Sequence, residues 1–315
     1  MYSEKISQTG NKLADNIGRV IFNKEKQINY IVCALLSGGH ILMDDVPGTG
    51  KTSLAKALAR SVSADCKRIQ FTPDLLPSDI TGINYFNQRS GEFEFRRGPV
   101  FTNIVIADEI NRTTPRTQSA LLECMEENQV TVDGVTYQLD PLFFVIATQN
   151  PIETQGTFPL PEAQTDRFLM KLTLGYPDAE NEKRMLDEYI EVSPLETLAP
   201  VCTTEAIISA REDVRKITVS DAIKDYIVRI TAETRVSENI RLGVSPRGTL
   251  ALMRASQAYA ALEGRDFVLP DDVKELAVPV LSHRIISRSQ NTIRISESNE
   301  TIIEYILERL PAPLK

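Results

Sequence analysis

The chain is poor in the residues that build metal cages and covalent frameworks. Its four cysteines, Cys33, Cys66, Cys124 and Cys202, are scattered with no Cys-x-x-Cys spacing. That argues against a zinc site or a disulfide scaffold and for small buried hydrophobes in a reducing compartment. The two histidines, His40 and His283, lie far apart with no third partner in view, so neither reads as a ligand or a base. No apolar run approaches the roughly 20 residues a spanning helix needs, so no membrane insertion is expected. Met1 to Asn11 is polar and has no secretory core, which makes a cytoplasmic location the expectation. A cationic excess is missing too: 35 Lys and Arg against 43 Asp and Glu leave −8. Nucleic acid is therefore not the expected partner, whereas a nucleotide site, which needs one lysine and backbone amides, stays open.

What is present is ordinary for a globular protein. The 315 residues are 42% hydrophobic and 25% charged, enough for one large or two modest domains with a sizeable core. Up to Leu174 the pattern alternates. A helical stretch from Lys24 to Leu36 ends at Gly38-Gly39, the apolar run Ile41 to Met43 precedes a Pro-Gly turn, and Lys51 to Arg60 reads as a helix. Further buried strands are expected at Arg68 to Phe71, Ile104 to Ala107, Leu142 to Ala147 and Phe168 to Leu174, which implies a parallel sheet covered on both faces. Two hairpins interrupt it, one turning at Arg89-Ser90-Gly91 and one at Asp133-Gly134. Thr114-Pro115 opens a helix between them. After Gly175-Tyr176-Pro177 the chain turns helical, with start and stop signals at Ser245-Pro246 and Gly264. The expected division is residues 1–175 and 176–315.

The chemistry-bearing residues follow the strands. Val46-Pro47-Gly48-Thr49-Gly50-Lys51-Thr52 leaves an apolar strand and opens a helix, the setting a phosphate-binding loop requires. Gly48 and Gly50 let amides turn inward, Lys51 offers a point charge to the outer phosphates, and Thr52 a hydroxyl to Mg²⁺. Asp45 stands where the strict pattern begins with glycine, and Pro47-Gly48 can supply the turn. The strand Ile104 to Ala107 ends in Asp108-Glu109, where one carboxylate can hold Mg²⁺ and its neighbour polarise the attacking water. A third strand ends at Thr148-Gln149-Asn150, where an amide could orient that water. Arg167 and Arg247 are candidates for stabilising charge on a transferring phosphoryl group.

These motifs together resemble the AAA+ ATPases and, within them, the MoxR group. The resemblance is nearly full-length. It rests on the loop at Val46 to Thr52, Ala107 to Arg112, Gln118 to Glu123, Ala147 to Pro151, Gly156 to Phe168, Ser245-Pro246-Arg247 and Gly264-Arg265-Asp266. It implies an α/β fold: a P-loop parallel-sheet core with hairpin insertions and a C-terminal all-helical lid. It also implies ATP and Mg²⁺ as cofactors. Pro47, Gly48, Thr49, Gly50, Lys51, Thr52 and Ser53 would hold nucleotide, with Val20 and Ile21 at the adenine. Thr52 and Asp108 would hold metal, and Glu109 and Asn150 would act on water. Arg167 would be the finger reaching a neighbouring subunit, and Arg247 would report the γ-phosphate to the lid. Asn23-Lys24 stands where the family usually carries Gly-Gln, and Asn tolerates a left-handed backbone. The implied role is a ring, hexameric by analogy, that remodels or matures protein clients, with a von Willebrand A-domain adaptor. The alternative is a nucleic-acid-translocating motor, for which Arg89, Arg96 and Arg97 on the first hairpin speak and the net charge does not.

Overall fold

The computed structural model describes residues 2–151, 156–190, 193–288 and 298–313. Five strands form one sheet: β1 (Ile41–Asp44), β2 (Cys66–Gln70), β5 (Ile104–Asp108), β8 (Phe144–Gln149) and β9 (Met170–Leu172), in the order β2-β5-β8-β1-β9. Every pairing is parallel. Strand alternation sends apolar side chains to both faces. Ile41, Met43, Ile104, Ile106, Phe144 and Ile146 belong to one core, and Leu42, Val105, Ala107, Val145 and Ala147 to the other.

The first face is covered by α1 (Tyr2–Gly18), α2 (Glu25–Ser37) and α3 (Lys51–Ser61), the second by α4 (Pro77–Thr81) and α5 (Pro115–Glu127). Gly38 at φ 71° caps α2, its N–H reaching Ala34 and Leu35 carbonyls, so the helix stops where Gly38-Gly39 predicts. The hairpins are β3 (Gly82–Asn87) with β4 (Glu92–Arg97), and β6 (Gln129–Val132) with β7 (Val135–Gln138). Asp133 and Gly134 both take positive φ, as a tight two-residue turn demands.

Beyond Pro177 come α6's successors, α6 itself (Glu162–Thr165) lying just before β9: α7 (Ala179–Glu188), α8 (Pro194–Thr197), α9 (Thr204–Val214), α10 (Asp221–Val236), α11 (Pro246–Leu262), α12 (Pro270–Leu281) and α13 (Asn299–Arg309). Ser220, Ser245 and Ser298 each accept the N–H three residues on, which starts α10, α11 and α13. A short antiparallel pair, β10 (Ile240–Leu242) with β11 (Ile286–Ser287), joins these helices. The polar N-terminal segment, read above only for its lack of a signal, is helical. Ile6, Leu13 and Ile17 of α1 are buried in the same core as Ala255 and Leu262 of α11. No helix among the described residues is long and apolar enough to cross a membrane.

His40 enters β1 buried, Nδ1 accepting the Val145 N–H and Nε2 facing the Met125 carbonyl, both at 3.1 Å. Only a neutral ring, protonated at Nε2, satisfies both, and burial pulls its pKa down to about 4. The unfolded chain therefore binds the extra proton between about pH 6.5 and 4, and stability falls as pH falls through that window, by about 3 kcal/mol in full. We expect His40→Gln to lose markedly less stability than wild type between pH 6.5 and 4.5 in a pH series of urea unfolding curves. Parallel curves for the two proteins would exclude this role.

Candidate functional site

The segment leaving β1 folds as a phosphate loop. Gly48 and Gly50 sit at φ 86° and 90°, and Gly50 caps α3, so Lys51, Thr52 and Ser53 occupy its first turn. A Cβ at Gly48 would meet nothing within 4 Å, and one at Gly50 only Ile21 at 3.8 Å, so the cradle is open on its inner side. Lys51 Nζ donates to the Asp45 carbonyl at 2.7 Å. Its pKa is lowered by burial, against the pull of the carboxylates of Asp45, Asp108, Asp44 and Glu109. Asp45 has a structural task of its own. Its carboxylate, in a residue 4% exposed, accepts the N–H groups of Leu174 and Gly175, tying the loop's entry to the chain leaving β9.

Beside the loop lies a cleft of about 730 Å³. Val20, Ile21, Pro47, Gly48, Thr49, Gly50 and Ser53 all line it, so seven of the residues expected at a nucleotide share one cavity. Its far wall, Tyr176, Pro177, Met185, Leu186 and Tyr189, was not expected from sequence. Those apolar positions sit at the break between the alternating and helical parts, which is the only signal that could have found them. Asn23 takes φ 53°, the left-handed state its side chain tolerates, and donates to the Asp178 carboxylate at 3.0 Å. Lys24 Nζ reaches the Tyr176 carbonyl at 3.3 Å. The turn between α1 and α2 is thus pinned to the start of α7. An apolar slot beside a glycine-rich loop at a helix N-terminus suits a planar base joined to phosphates.

The tips of β5 and β8 meet at the loop. Thr148 donates its hydroxyl to Asp108 Oδ1 at 2.6 Å and accepts the Glu109 N–H at 2.9 Å. Arg68 pairs with Asp108 Oδ2 at 2.6 Å. Gln70 donates to Glu109 Oε2 at 2.8 Å, and Arg112 lies 3.2 Å from the same oxygen. Glu109 stands at φ 56°, ψ 50°, a left-handed backbone unusual for a residue with a side chain. Asn150 follows β8, and the Gln149 carbonyl accepts the Asp45 N–H at 3.3 Å. No group of three His, Cys, Asp or Glu among the described residues could cage a metal. The oxygens of Thr52 and Asp108 instead fit Mg²⁺, which is held by one or two protein oxygens and completed by water and phosphate.

Arg167 and Arg247 are not brought to that cleft. Both engage Glu126 near the end of α5: Arg167 at 2.8 Å through Oε2, Arg247 through Oε1. Arg167 also donates to the Leu122 carbonyl at 2.8 Å. Met125, beside Glu126, contacts His40 at the start of β1, and Leu169 bonds the His40 carbonyl. Asp45 and Gly175 meet at the other end of β1. From His40 to Asp45 the strand covers roughly 17 Å at about 3.3 Å per residue, further than a side chain reaches. The two arginines therefore share the amino end of the sheet, while the phosphate loop holds its carboxyl end. An Arg247 that closed over the nucleotide of its own chain does not fit this placement, because its guanidinium is spent on Glu126 at the far end.

A family model for the ATPase family associated with various cellular activities (AAA) matches residues 40–170, and an AAA lid domain model matches residues 232–306. The chain is 49% identical to the uncharacterized protein YeaC of Bacillus subtilis, over 100% of this chain and 98% of that one. It is 38% identical to the chaperone MoxR1 of Mycobacterium tuberculosis, over 94% of this chain and 80% of that one. A candidate ATPase of Cytophaga hutchinsonii, known from its crystal structure, superposes with a TM-score of 0.90 at 39% identity, covering 99% and 98% of the two chains.

Thr148 on β8 ties down both carboxylate residues at the tip of β5, so its hydroxyl can be tested on stability alone. Thr148→Val keeps the shape but orphans the Glu109 N–H at a strained position. We expect a loss of about 1–3 kcal/mol in thermal or urea unfolding. A loss within a few tenths of a kcal/mol would mean that the tip is held by other contacts.

Proposed function

Because the chain belongs to the MoxR family of AAA+ ATPases, we propose that it hydrolyses ATP in sites completed between neighbouring subunits of a homo-oligomeric ring, hexameric by analogy. The observation that carries this reading is the separation of Lys51, Thr52, Asp108 and Glu109 at one end of the sheet from Arg167 and Arg247 at the other. In a head-to-tail ring those ends face each other across every interface. Residues 1–175 act as the nucleotide core and 176–315 as the lid.

Lys51 and the loop amides bind the phosphates, Val20, Ile21 and the α7 wall take the base, and Glu109 accepts the proton of the attacking water that Asn150 helps to orient. Thr52 and Asp108 would hold Mg²⁺, which when bound would supply charge neutralisation to the phosphates. Arg167 and Arg247 leave Glu126 for the γ-phosphate across the interface, where spreading negative charge outcompetes a half-exposed carboxylate.

The work done with that energy is remodelling or maturation of protein clients, with a von Willebrand A-domain protein as adaptor and the cytoplasm as setting. The first hairpin supports a protein client over nucleic acid. Ile83, Phe86 and Phe93 are more than half exposed, Phe86 and Phe93 pack edge to face, and Arg97 is folded over Phe101 at 5.2 Å rather than presented to a phosphate backbone. DNA-stimulated turnover that collapses with salt would support the motor alternative instead.

Lys51→Ala is expected to abolish binding of a fluorescent nucleotide analogue, whereas Glu109→Gln keeps binding and stops phosphate release. Arg167→Ala is expected to lower turnover about 10³-fold or more. Mixing Arg167→Ala and Glu109→Gln subunits in equal amounts rebuilds roughly a quarter of the interfaces, so activity should return as subunits exchange. Exchange without any recovery, or a fully active monomer, contradicts the shared site. Arg247→Ala should complement Glu109→Gln in the same way and weaken discrimination between ATP and ADP only in the assembled ring.

A further inference from the structure

Arg167 and Arg247 belong to different parts of the chain, yet they arrive at one carboxylate, and a second cluster, built around the buried Arg284, explains how. Asp166 directly precedes Arg167, and Ser245 caps the helix that carries Arg247. The Ser245 hydroxyl donates to Asp166 Oδ2 at 2.8 Å while accepting the Gly248 N–H at 3.3 Å. Arg284, whose side chain is 2% exposed, donates through Nε to Asp166 Oδ1 at 2.8 Å. The rest of its guanidinium takes the carbonyls of Asp166 and Leu169, both at 3.1 Å, and those of Phe168 and Val280. One side chain thus grips the backbone on both sides of Arg167. A Cβ on Gly248 would come within 2.8 Å of Arg284 Cδ, so the first turn of α11 lies directly on that stem.

We propose that Asp166, Arg284 and Ser245 are positioning residues that hold Arg167 and Arg247 as one rigid unit, so that both reach the neighbouring subunit's γ-phosphate together. The inference rests on the shared-site reading above. It follows from how the cluster is wired. A carboxylate paired with Arg284 for mere stability has no need to join the arginine-bearing loop of the core to the cap of the arginine-bearing lid helix. Nor does Arg284 need to satisfy the carbonyls of Asp166, Phe168 and Leu169 at once. Without Asp166 the core loop and α11 are free to shift separately, and a shift near 1 Å at a phosphoryl-stabilising group costs up to about 100-fold in rate.

Asp166→Asn tests this with little change of volume. The amide keeps one acceptor for Arg284 but loses the charge, and Ser245 must turn from donor to acceptor to meet the N–H₂ while still accepting the Gly248 N–H, so both halves of the joint are weakened. We expect turnover to fall about 10- to 100-fold, with affinity for a fluorescent ADP analogue unchanged, because the variant's own cleft is intact. The decisive readout is complementation. Asp166→Asn subunits should regain activity when mixed with Glu109→Gln subunits, and should not when mixed with Arg167→Ala subunits, whose defect lies on the same face. Ser245→Ala, which removes the Asp166 bond together with the cap on the Gly248 N–H and leaves Arg284 in place, should show the same pattern at smaller amplitude, and Ser245→Thr, which keeps both groups, should restore it. Wild-type turnover in Asp166→Asn overturns the proposal. So does a loss that Glu109→Gln subunits cannot complement, since that marks general damage to the fold. An Asp166→Asn chain that does not fold, together with an unaffected Ser245→Ala, overturns it as well. The Arg167→Ala and Glu109→Gln mixture serves as the control: if it fails while subunits exchange, the shared-site reading falls, and the positioning role falls with it.

Discussion

A parallel sheet has two unlike ends, and that polarity governs the rest of this molecule. Loops that leave the carboxyl ends of β1, β5 and β8 converge on one region, so the phosphate loop, Asp108-Glu109 and Asn150 become neighbours although they are distant in sequence. Whatever precedes the strands is delivered to the other end. Arg167 precedes β9, and α5 runs back to the same end, bringing Glu126 and through it Arg247. In this arrangement Arg167 and Arg247 stand at Glu126, away from the phosphate loop of their own chain. Under the proposed shared site, self-association is what would bring such arginines to a phosphate loop.

The site tip shows where local conformational preference yields to chemistry. Glu109 takes a backbone conformation that a residue with a side chain avoids, and its N–H is caught by Thr148, which also fixes Asp108. One hydroxyl therefore sets the angle between two adjacent carboxylates with different environments. Asp108 is gripped by Arg68, and Glu109 by Gln70 and Arg112. Strain of about 1 kcal/mol or more persists at such a position only when neighbours over-determine it.

Much of this was legible in the residues. The parallel core, both hairpins and the long helices of the lid follow from hydrophobic period and turn chemistry, as Asp133-Gly134 and Ser245-Pro246 illustrate. The phosphate loop is local in sequence and so could be read from it. Contacts that depend on three dimensions could not. Glu126 carries no sign that two arginines will meet on it, and nothing marks Arg284 as the partner of Asp166 before β9 and α12 are packed. The helix α1 was overlooked because its apolar face is sparse: Ile6, Leu13 and Ile17 are separated by polar residues and by Gly10, which sits where a larger side chain would strike Leu262. Asp45 departs from the usual loop pattern because its carboxylate serves Leu174 and Gly175, a need visible only once β9 lies beside β1.

The burial of α1 against α11 also has a bearing on synthesis. A ribosome releases the first helix long before the one it packs against, and the face formed by Ile6, Leu13 and Ile17 has no complete resting place until Leu262 has emerged. The sheet can pair earlier, since its last strand ends at Leu172. The nascent protein thus passes through an interval in which the sheet can pair while the apolar face of α1 is uncovered, the kind of surface at which premature association starts. Closure of α11 onto α1 covers that strip, so a surface laid down early in synthesis is completed by a helix made much later.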